Sequence, residues 1–202
     1  MAGKPPTTSA ARNRPVGSPQ TKGNNFLGAV NFLKSEHASH WQAVLDAVQP
    51  STRETIEGML IAGHWYPFEA YHDLTMSFCR QLPGKFSATA RQWGAYTLER
   101  DLSGGIYRAF LRAASPRLMV KALSKIWGLY QGTGAMEVLD SSSRQLRALV
   151  YGLHLPSPQI AHGTVGASVR IMELAGGRNV RFDIVDGATE DDHYCEFTLT
   201  WA

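Results

Sequence analysis

Cysteine is nearly absent: Cys79 and Cys195 are the only two in 202 residues. They lie far apart and form neither a Cys-x-x-Cys pair nor a disulfide framework, which fits a reducing compartment and makes the cytoplasm the expected address. Also missing is any apolar run of about 18 residues, so no transmembrane segment is expected. The N-terminus has no apolar stretch of the kind a secretion signal needs. Ala2 rather than glycine follows Met1, and the C-terminus carries no prenylation box, so neither export nor a lipid anchor is expected. Acidic residues are absent from the first 25 positions, which hold Lys4, Arg12, Arg14 and Lys22 among Pro5, Pro6, Pro15 and Pro19. With almost nothing large and apolar to bury, residues 1–25 read as a disordered basic tail, either a solubilising leader or a weak docking segment for an acidic partner. The four tail charges exceed the formal +3 of the whole chain, so residues 26–202 are close to neutral. The pI near 9.0 therefore reflects the tail, and no nucleic-acid partner is expected.

What is present is a chain of one-domain length with 44% hydrophobic residues, and residues 26–202 read as a single α+β domain. Its first half is helical in period. Phe26, Leu27, Val30 and Leu33 share a helix face, and Trp41, Val44, Leu45 and Val48 define a second short helix. Ser51 with Glu54 has the spacing of a capping box for a helix that Gly63 ends. After the aromatic corner His64, Trp65 and Tyr66, Pro67 is placed to open a helix to Leu82. Ser87 is placed to cap the next, and Ser103, Gly104 and Gly105 break the pattern before Ile106–Leu111. Ser115 followed by Pro116 is a strong helix start, leading to a helix through Trp127 and Tyr130.

From Ala135 the period becomes two. Met136 and Val138 mark one strand, and Leu146, Ala148 and Val150 a second. Ser157 and Pro158 open a helix to about Ala175, and two strands follow, with Val180, Phe182 and Ile184 on one and Cys195, Phe197, Leu199 and Trp201 on the other. The fold class predicted is α+β, with an N-terminal helical half packed on a C-terminal antiparallel sheet of strand-strand-helix-strand-strand order, and Leu199 and Trp201 pointing inward.

No spacing spells out chemistry. His193 and Cys195 share a strand face beside Asp191 and Asp192, but a closed zinc site needs two more ligands, and His154 and His162 are the only other histidines in that half. Ser103–Gly105 neither follow a strand nor precede a Gly-Lys-Ser/Thr run, so they make no phosphate loop. Asp73, Glu99, Asp101 and Glu137 lie on different elements, with nothing to pair them as acid and base. Cys79 on an amphipathic helix reads as a core residue. An enzyme would have to be assembled from scattered residues such as His64, Tyr66 and Glu69. No catalytic residue, metal site or cofactor is expected. Aromatics are more informative, because Trp93, Tyr96, Trp127 and Tyr130 all fall in the helical half. These four are the candidate ligand-binding residues, with plain core packing as the alternative.

The segments HWYPFEAYHDL at His64–Leu74, ARQWGAY at Ala90–Tyr96, SPRLMVKALSKIWGLY at Ser115–Tyr130 and CEFTLTW at Cys195–Trp201 together resemble a poorly characterised family of myxobacterial proteins. More remotely, the element order is similar to the superfamily of haem nitric-oxide-binding domains, 4-vinyl reductase domains and a TRAPP trafficking subunit. Haem binding in that resemblance implies a proximal histidine on the helix before the sheet and a Tyr-x-Ser-x-Arg motif. Here Leu123–Tyr130 contain no histidine, and Tyr151 is followed by Gly152, Leu153 and His154. Zinc in the 4-vinyl reductase group implies several cysteines, which this chain lacks. The expectation is a non-enzymatic sensory or regulatory domain that binds a small apolar ligand between helices and sheet. The alternative is a protein-protein interaction or homodimerisation module with the cavity filled.

Overall fold

In the computed structural model, residues 5–102 and 115–202 are described. A short helix α1 (Ser9–Arg12) and strand β1 (Gly17–Lys22) precede helix α2 (Gly23–Glu36), and a 3-10 turn leads to α3 (Trp41–Ala47) and α4 (Pro50–Glu57). Strand β2 (Trp65–Pro67), α5 (Phe68–Gln81), α6 (Phe86–Leu102) and α7 (Pro116–Tyr130) complete the helical half. The remainder is β3 (Gln131–Thr133), β4 (Ala135–Ser141), β5 (Gln145–Tyr151), α8 (Pro158–Leu174), β6 (Arg181–Gly187) and β7 (Cys195–Thr200). From β4 onward the order is the strand-strand-helix-strand-strand pattern that the period-two segments predict. The break expected at Ser103–Gly105 and the segment Ile106–Leu111 after it fall outside the described residues.

The main sheet is antiparallel, in the order β4-β5-β7-β6. Its register sets Leu146 against Leu199, Ala148 against Phe197 and Val150 against Cys195, and all six are fully buried on the inner face. Each of the larger ones contributes about 2 kcal/mol by leaving water. Trp201 is buried beyond them, so Leu199 and Trp201 do point inward. Helix α7 packs against β4, α8 packs against β6 and β7, and α6 lies against α8. Ser115 caps α7 as its spacing predicts, its hydroxyl accepting the Leu118 N–H at 3.4 Å, with Pro116 in the first turn.

Several local expectations change. Ser87 lies inside α6 (Phe86–Leu102) and does not cap it. Ser51 and Glu54 form no capping box: the cap position of α4 is Gln49, with Pro50 in the first turn, and the Gln49 N–H is satisfied by Asp73 Oδ2 at 2.7 Å. That helix ends at Glu57, before Gly58 rather than Gly63. Tyr66, in the aromatic corner, lies on β2, and its hydroxyl accepts the Ile61 N–H at 2.9 Å, holding the intervening turn.

The larger correction concerns residues 1–25. Of their described part, residues 17–22 are the central strand of a second sheet, ordered β2-β1-β3, and Thr21 is fully buried. The segment before it straps the outer face of the main sheet. Arg12 O accepts from Gly152 N–H at 2.8 Å, Val16 N–H donates to Gly152 O at 2.8 Å, and Asn13 Oδ1 accepts from His193 N–H at 3.0 Å. The anchor is Glu196. It faces outward from β7 and is 1% exposed, because the Arg12 guanidinium covers it at 2.9 Å and Arg147 pairs with it from β5. Arg12 also reaches Asp186 at 3.1 Å. Backbone pairing and one buried charge do here what apolar side chains usually do, so low hydrophobicity alone does not leave this segment loose.

A buried carboxylate that loses one of its two arginine partners is costly. Arg12→Ala is expected to destabilise the fold by about 3 kcal/mol in urea denaturation. A loss under about 0.5 kcal/mol would mean that the strap is not anchored there.

Candidate functional site

Helices α6 and α8 meet with no side chain between them. A Cβ on Gly94 would sit 1.9 Å from Gly163 O, and one on Gly166 would sit 2.1 Å from Arg91 O. Gly163 in turn faces the Trp93 ring, 2.9 Å from where its own Cβ would be. Three glycines therefore set the spacing of the two helices. α7 comes in beside them, and the three helices leave a half-open apolar cavity of about 130 Å³.

Its walls come mainly from three helices. α6 gives Trp93, Gly94, Thr97 and Leu98, α7 gives Leu123, Ile126, Trp127 and Tyr130, and α8 gives Ile160, Gly163, Ala167 and Ile171. Asn25, Tyr71, Gln131 and Met136 complete them, with Asp101 at one end. Trp93 stacks obliquely on Tyr71 at 5.8 Å and edge-on to Phe78 at 5.4 Å, which fixes its plane. The Trp127 indole N–H donates to Gly134 O at 3.3 Å, tying α7 to the turn before β4. Asn25 Nδ2 donates to Thr21 Oγ1 at 2.7 Å and to Tyr130 O at 3.1 Å, tying α2 and β1 to the end of α7. Asp101 accepts from Arg100 at 2.6 Å, and Arg100 donates onward to Asn24 O at 3.1 Å.

Of the four aromatics the sequence singles out, the structure brings Trp93, Trp127 and Tyr130 into one wall. Tyr96 is not among them. It points to the other side of α6, edge-on to Phe32 at 5.6 Å with its hydroxyl donating to Ser35 Oγ at 3.2 Å. The sequence gives no sign of Gln131, Met136 or the α8 residues as wall. Their only trace is the run of small residues on α8, Gly163, Gly166, Ala167 and Ser168.

Three wall residues carry a buried polar atom without a hydrogen-bond partner: Trp93 Nε1, Thr97 Oγ1 and Gln131 Oε1. Trp93 is only 3% exposed. Each unmet group costs about 1–3 kcal/mol relative to one that is paired. An apolar cavity with a few unmet polar groups is the usual form of a small-molecule site.

The other candidates stand apart from it. Among the described residues no three His, Cys, Asp or Glu side chains come together as a metal site. His193 Nδ1 bonds to Leu153 O. Cys195 is fully buried, and burial pushes its thiol up to about 12. Cys79 is buried and likewise raised. His64, Tyr66 and Glu69 form no cluster with one another among the recorded bonds and contacts. No helix among the described residues is long and apolar enough to cross a membrane.

No family model matches the chain, and no curated protein does. Solved structures do. An H-NOX protein from K. algicida, in its Fe(II) unliganded state, is 12% identical with a TM-score of 0.66, over 90% of this chain and 96% of that one. An H-NOX protein from S. oneidensis, in its Fe(II)NO state, is 10% identical with a TM-score of 0.63, over 90% of this chain and 99% of that one. The fold is thus that of the H-NOX proteins, the haem nitric-oxide-binding architecture that the element order resembles.

The residues present do not fit a haem. Its iron takes histidine, cysteine thiolate, methionine or tyrosine as axial ligand. None of the chain's histidines or cysteines is in the described wall. Burial holds the Tyr71 phenol well above its ordinary pKa of 10.0, so it stays protonated. Met136 and Tyr130 remain in the wall as one thioether and one further phenol. His154 is engaged by the Thr133 hydroxyl at 2.8 Å, and the Tyr151 hydroxyl donates to Glu137 at 2.8 Å. The space between the three helices, about 130 Å³, compares with the roughly 150 Å³ that holds one benzene.

Two outcomes follow. Gly94→Ala is expected to cost about 3 kcal/mol and to lower the melting temperature, because two backbones would have to separate. Unchanged melting would show that the helices do not depend on that contact. His162 on α8 has an unpartnered, buried Nδ1, and burial with nearby Arg91 pushes its pKa from 6.5 down to about 4. The unfolded chain takes up this proton near 6.5 and the folded one only near 4, so stability falls as pH drops across that window. His162→Gln is expected to flatten that part of the pH-stability curve, and an unaltered slope would contradict the shift.

Proposed function

We propose that this is a non-enzymatic ligand-binding domain of sensory or regulatory type, whose ligand is one small, largely apolar molecule held between α6, α7 and α8. The single observation that carries this is the ring-sized apolar cavity between α6, α7 and α8. The H-NOX likeness supports the architecture, since the neighbours include an H-NOX protein in an Fe(II) state and one in an Fe(II)NO state.

Binding at this place has a mechanical consequence. The cavity is where the helical half meets the elements leading into the sheet, so an occupant touches α6, α7 and α8 at once. Filling it favours the arrangement of those helices that best encloses the ligand, by as much as its differential affinity. A second reading, as an interaction module, draws on Leu118 and Leu129, exposed on α7 at 45% and 66%. There the partner would be another protein or a second copy of the chain.

The purified chain should be warmed in the presence of benzene or toluene. A probe at a hundredfold excess over its Kd stabilises by about 2.7 kcal/mol, and the melting temperature is expected to rise. Ala167→Phe, which places a ring inside the cavity, is expected to abolish that rise. Failure of both probes to shift the wild type, or an equal shift in Ala167→Phe, would contradict the cavity as the site. A stoichiometric Soret band on titration with hemin would instead show that the haem chemistry of the fold is retained.

A further inference from the structure

Helix α7 turns one side to the cavity and the other to solvent, and the outer side is charged in one sense. Arg117, Lys121 and Lys125 are exposed there. They recur at every fourth residue and so form a single cationic row, and no acid lies on the helix. Like charges at this spacing destabilise a helix, and Arg117 in the first turn also opposes the helix dipole. Among the described residues no ion pair involves any of the three. The sequence around them supplies no acid either. From residue 102 to residue 136 the chain holds Arg108, Arg112, Arg117, Lys121 and Lys125 and not one Asp or Glu. Residues 26–202 are close to neutral in sum, so positive charge is segregated into this stretch.

Apolar surface flanks the row on both sides. Leu118 and Leu129, 45% and 66% exposed, lie about three turns apart along one edge of it. At the other edge an open groove of about 540 Å³ runs between α7 and β4, with Val120, Lys121, Trp127, Met136 and Val138 in its walls. The helix surface is bare at Gly128, where an added Cβ would meet nothing within 4 Å.

Charge and shape together select the occupant. A second copy docked by a two-fold axis, with Leu118 against Leu129, would bring Lys121 of each chain beside Lys125 of the other, and such like charges oppose the contact. Nucleic acid would answer the cations and leave the leucines and the groove uncovered. A flat lipid surface would cover the leucines and leave the groove empty. A protein segment with carboxylates between apolar side chains satisfies all three parts of the surface.

We propose that the outer side of α7 docks an acidic amphipathic segment of another protein. Its carboxylates pair with Arg117, Lys121 and Lys125, and its apolar side chains cover Leu118, Leu129 and the groove beside β4. This rests on the reading of α7 as an interaction face, and it adds the charge and character of the partner. The cavity lies against the opposite side of the same helix, so the docked segment holds the element that a ligand touches.

The test is selection of helix-length peptides from a displayed random library on the full chain, followed by fluorescence anisotropy of the enriched peptides with wild type, Lys121→Glu and Leu129→Ser. Peptides rich in Asp and Glu among apolar residues are expected. Their affinity should fall as salt is raised, and roughly tenfold in Lys121→Glu. That substitution turns two like-charge pairs on α7 into two opposite pairs, so its melting temperature should not fall and lost binding reports the surface rather than the fold. Leu129→Ser should weaken the same peptides while leaving their salt dependence in place.

Enriched peptides with no excess of acid, or equal binding by Lys121→Glu, would overturn the acidic partner and leave α7 as an interaction face. A wild-type dimer in analytical ultracentrifugation that Leu129→Ser disperses would do the same in favour of a second copy. Binding of a short DNA duplex or of phosphatidylserine vesicles, with no peptide enriched, would overturn a protein partner altogether. A chain that stays monomeric and takes no peptide, duplex or vesicle overturns the proposal together with the interaction reading, and leaves the cavity reading untouched.

Discussion

Between α6 and α8 there is room for backbone and nothing more, and the rest of the site follows from that. Gly94, Gly163 and Gly166 remove the Cβ atoms that would hold the helices apart. Once the two are this close, their larger side chains are displaced along the seam. Trp93 is pressed against Gly163 on one side and against Tyr71 and Phe78 on the other. α7 cannot enter the same seam and lies beside it, held by the Trp127–Gly134 bond and by Asn25 reaching Tyr130 O. The cavity is the space these three helices leave between them.

The same helices are backed by a sheet whose outer face is not left to solvent. Strand β7 would present Glu196 and β5 would present Leu149 to water on a simple two-residue alternation, and both are buried. The α1–β1 segment covers them, and its Arg12 neutralises Glu196. From there the chain continues as β1 into the small sheet, and Thr21 meets Tyr130 O at 3.2 Å, at the end of α7. A continuous path of hydrogen bonds therefore joins the N-terminal segment to the rim of the cavity. An occupant that moves the end of α7 would be felt at the strap over the sheet.

Much of this was legible in the sequence, and the parts that were not share a physical reason. Period-two runs at Leu146–Val150 and Cys195–Leu199, and the Ser-Pro starts at Ser115 and Ser157, marked the C-terminal elements because burial and helix initiation leave local traces. Trp93, Trp127 and Tyr130 were picked out by being large and aromatic at helical spacing. Tyr96 has the same appearance but lies on the opposite side of α6, a matter of helix rotation that spacing alone did not resolve. β1 was invisible because Gly17–Lys22 pairs through its backbone and alternates nothing apolar. Arg12 finds Glu196 only through tertiary structure, across nearly the whole length of the chain. Gln131 and the α8 wall were missed for the same reason: small and polar residues gain their role from what they face.

The H-NOX fold carries here an interior in which indoles, a thioether and a protonated phenol line a space the size of one ring. The central claim is that this space is real and accessible to a small apolar guest. Xenon is the most direct probe, since it occupies apolar cavities of this size without needing any particular hydrogen bond. A crystal of the full chain under xenon pressure should show a single strong anomalous peak between Trp93 and Trp127. Absence of density there, with xenon found only at the surface or in other parts of the core, would contradict the account.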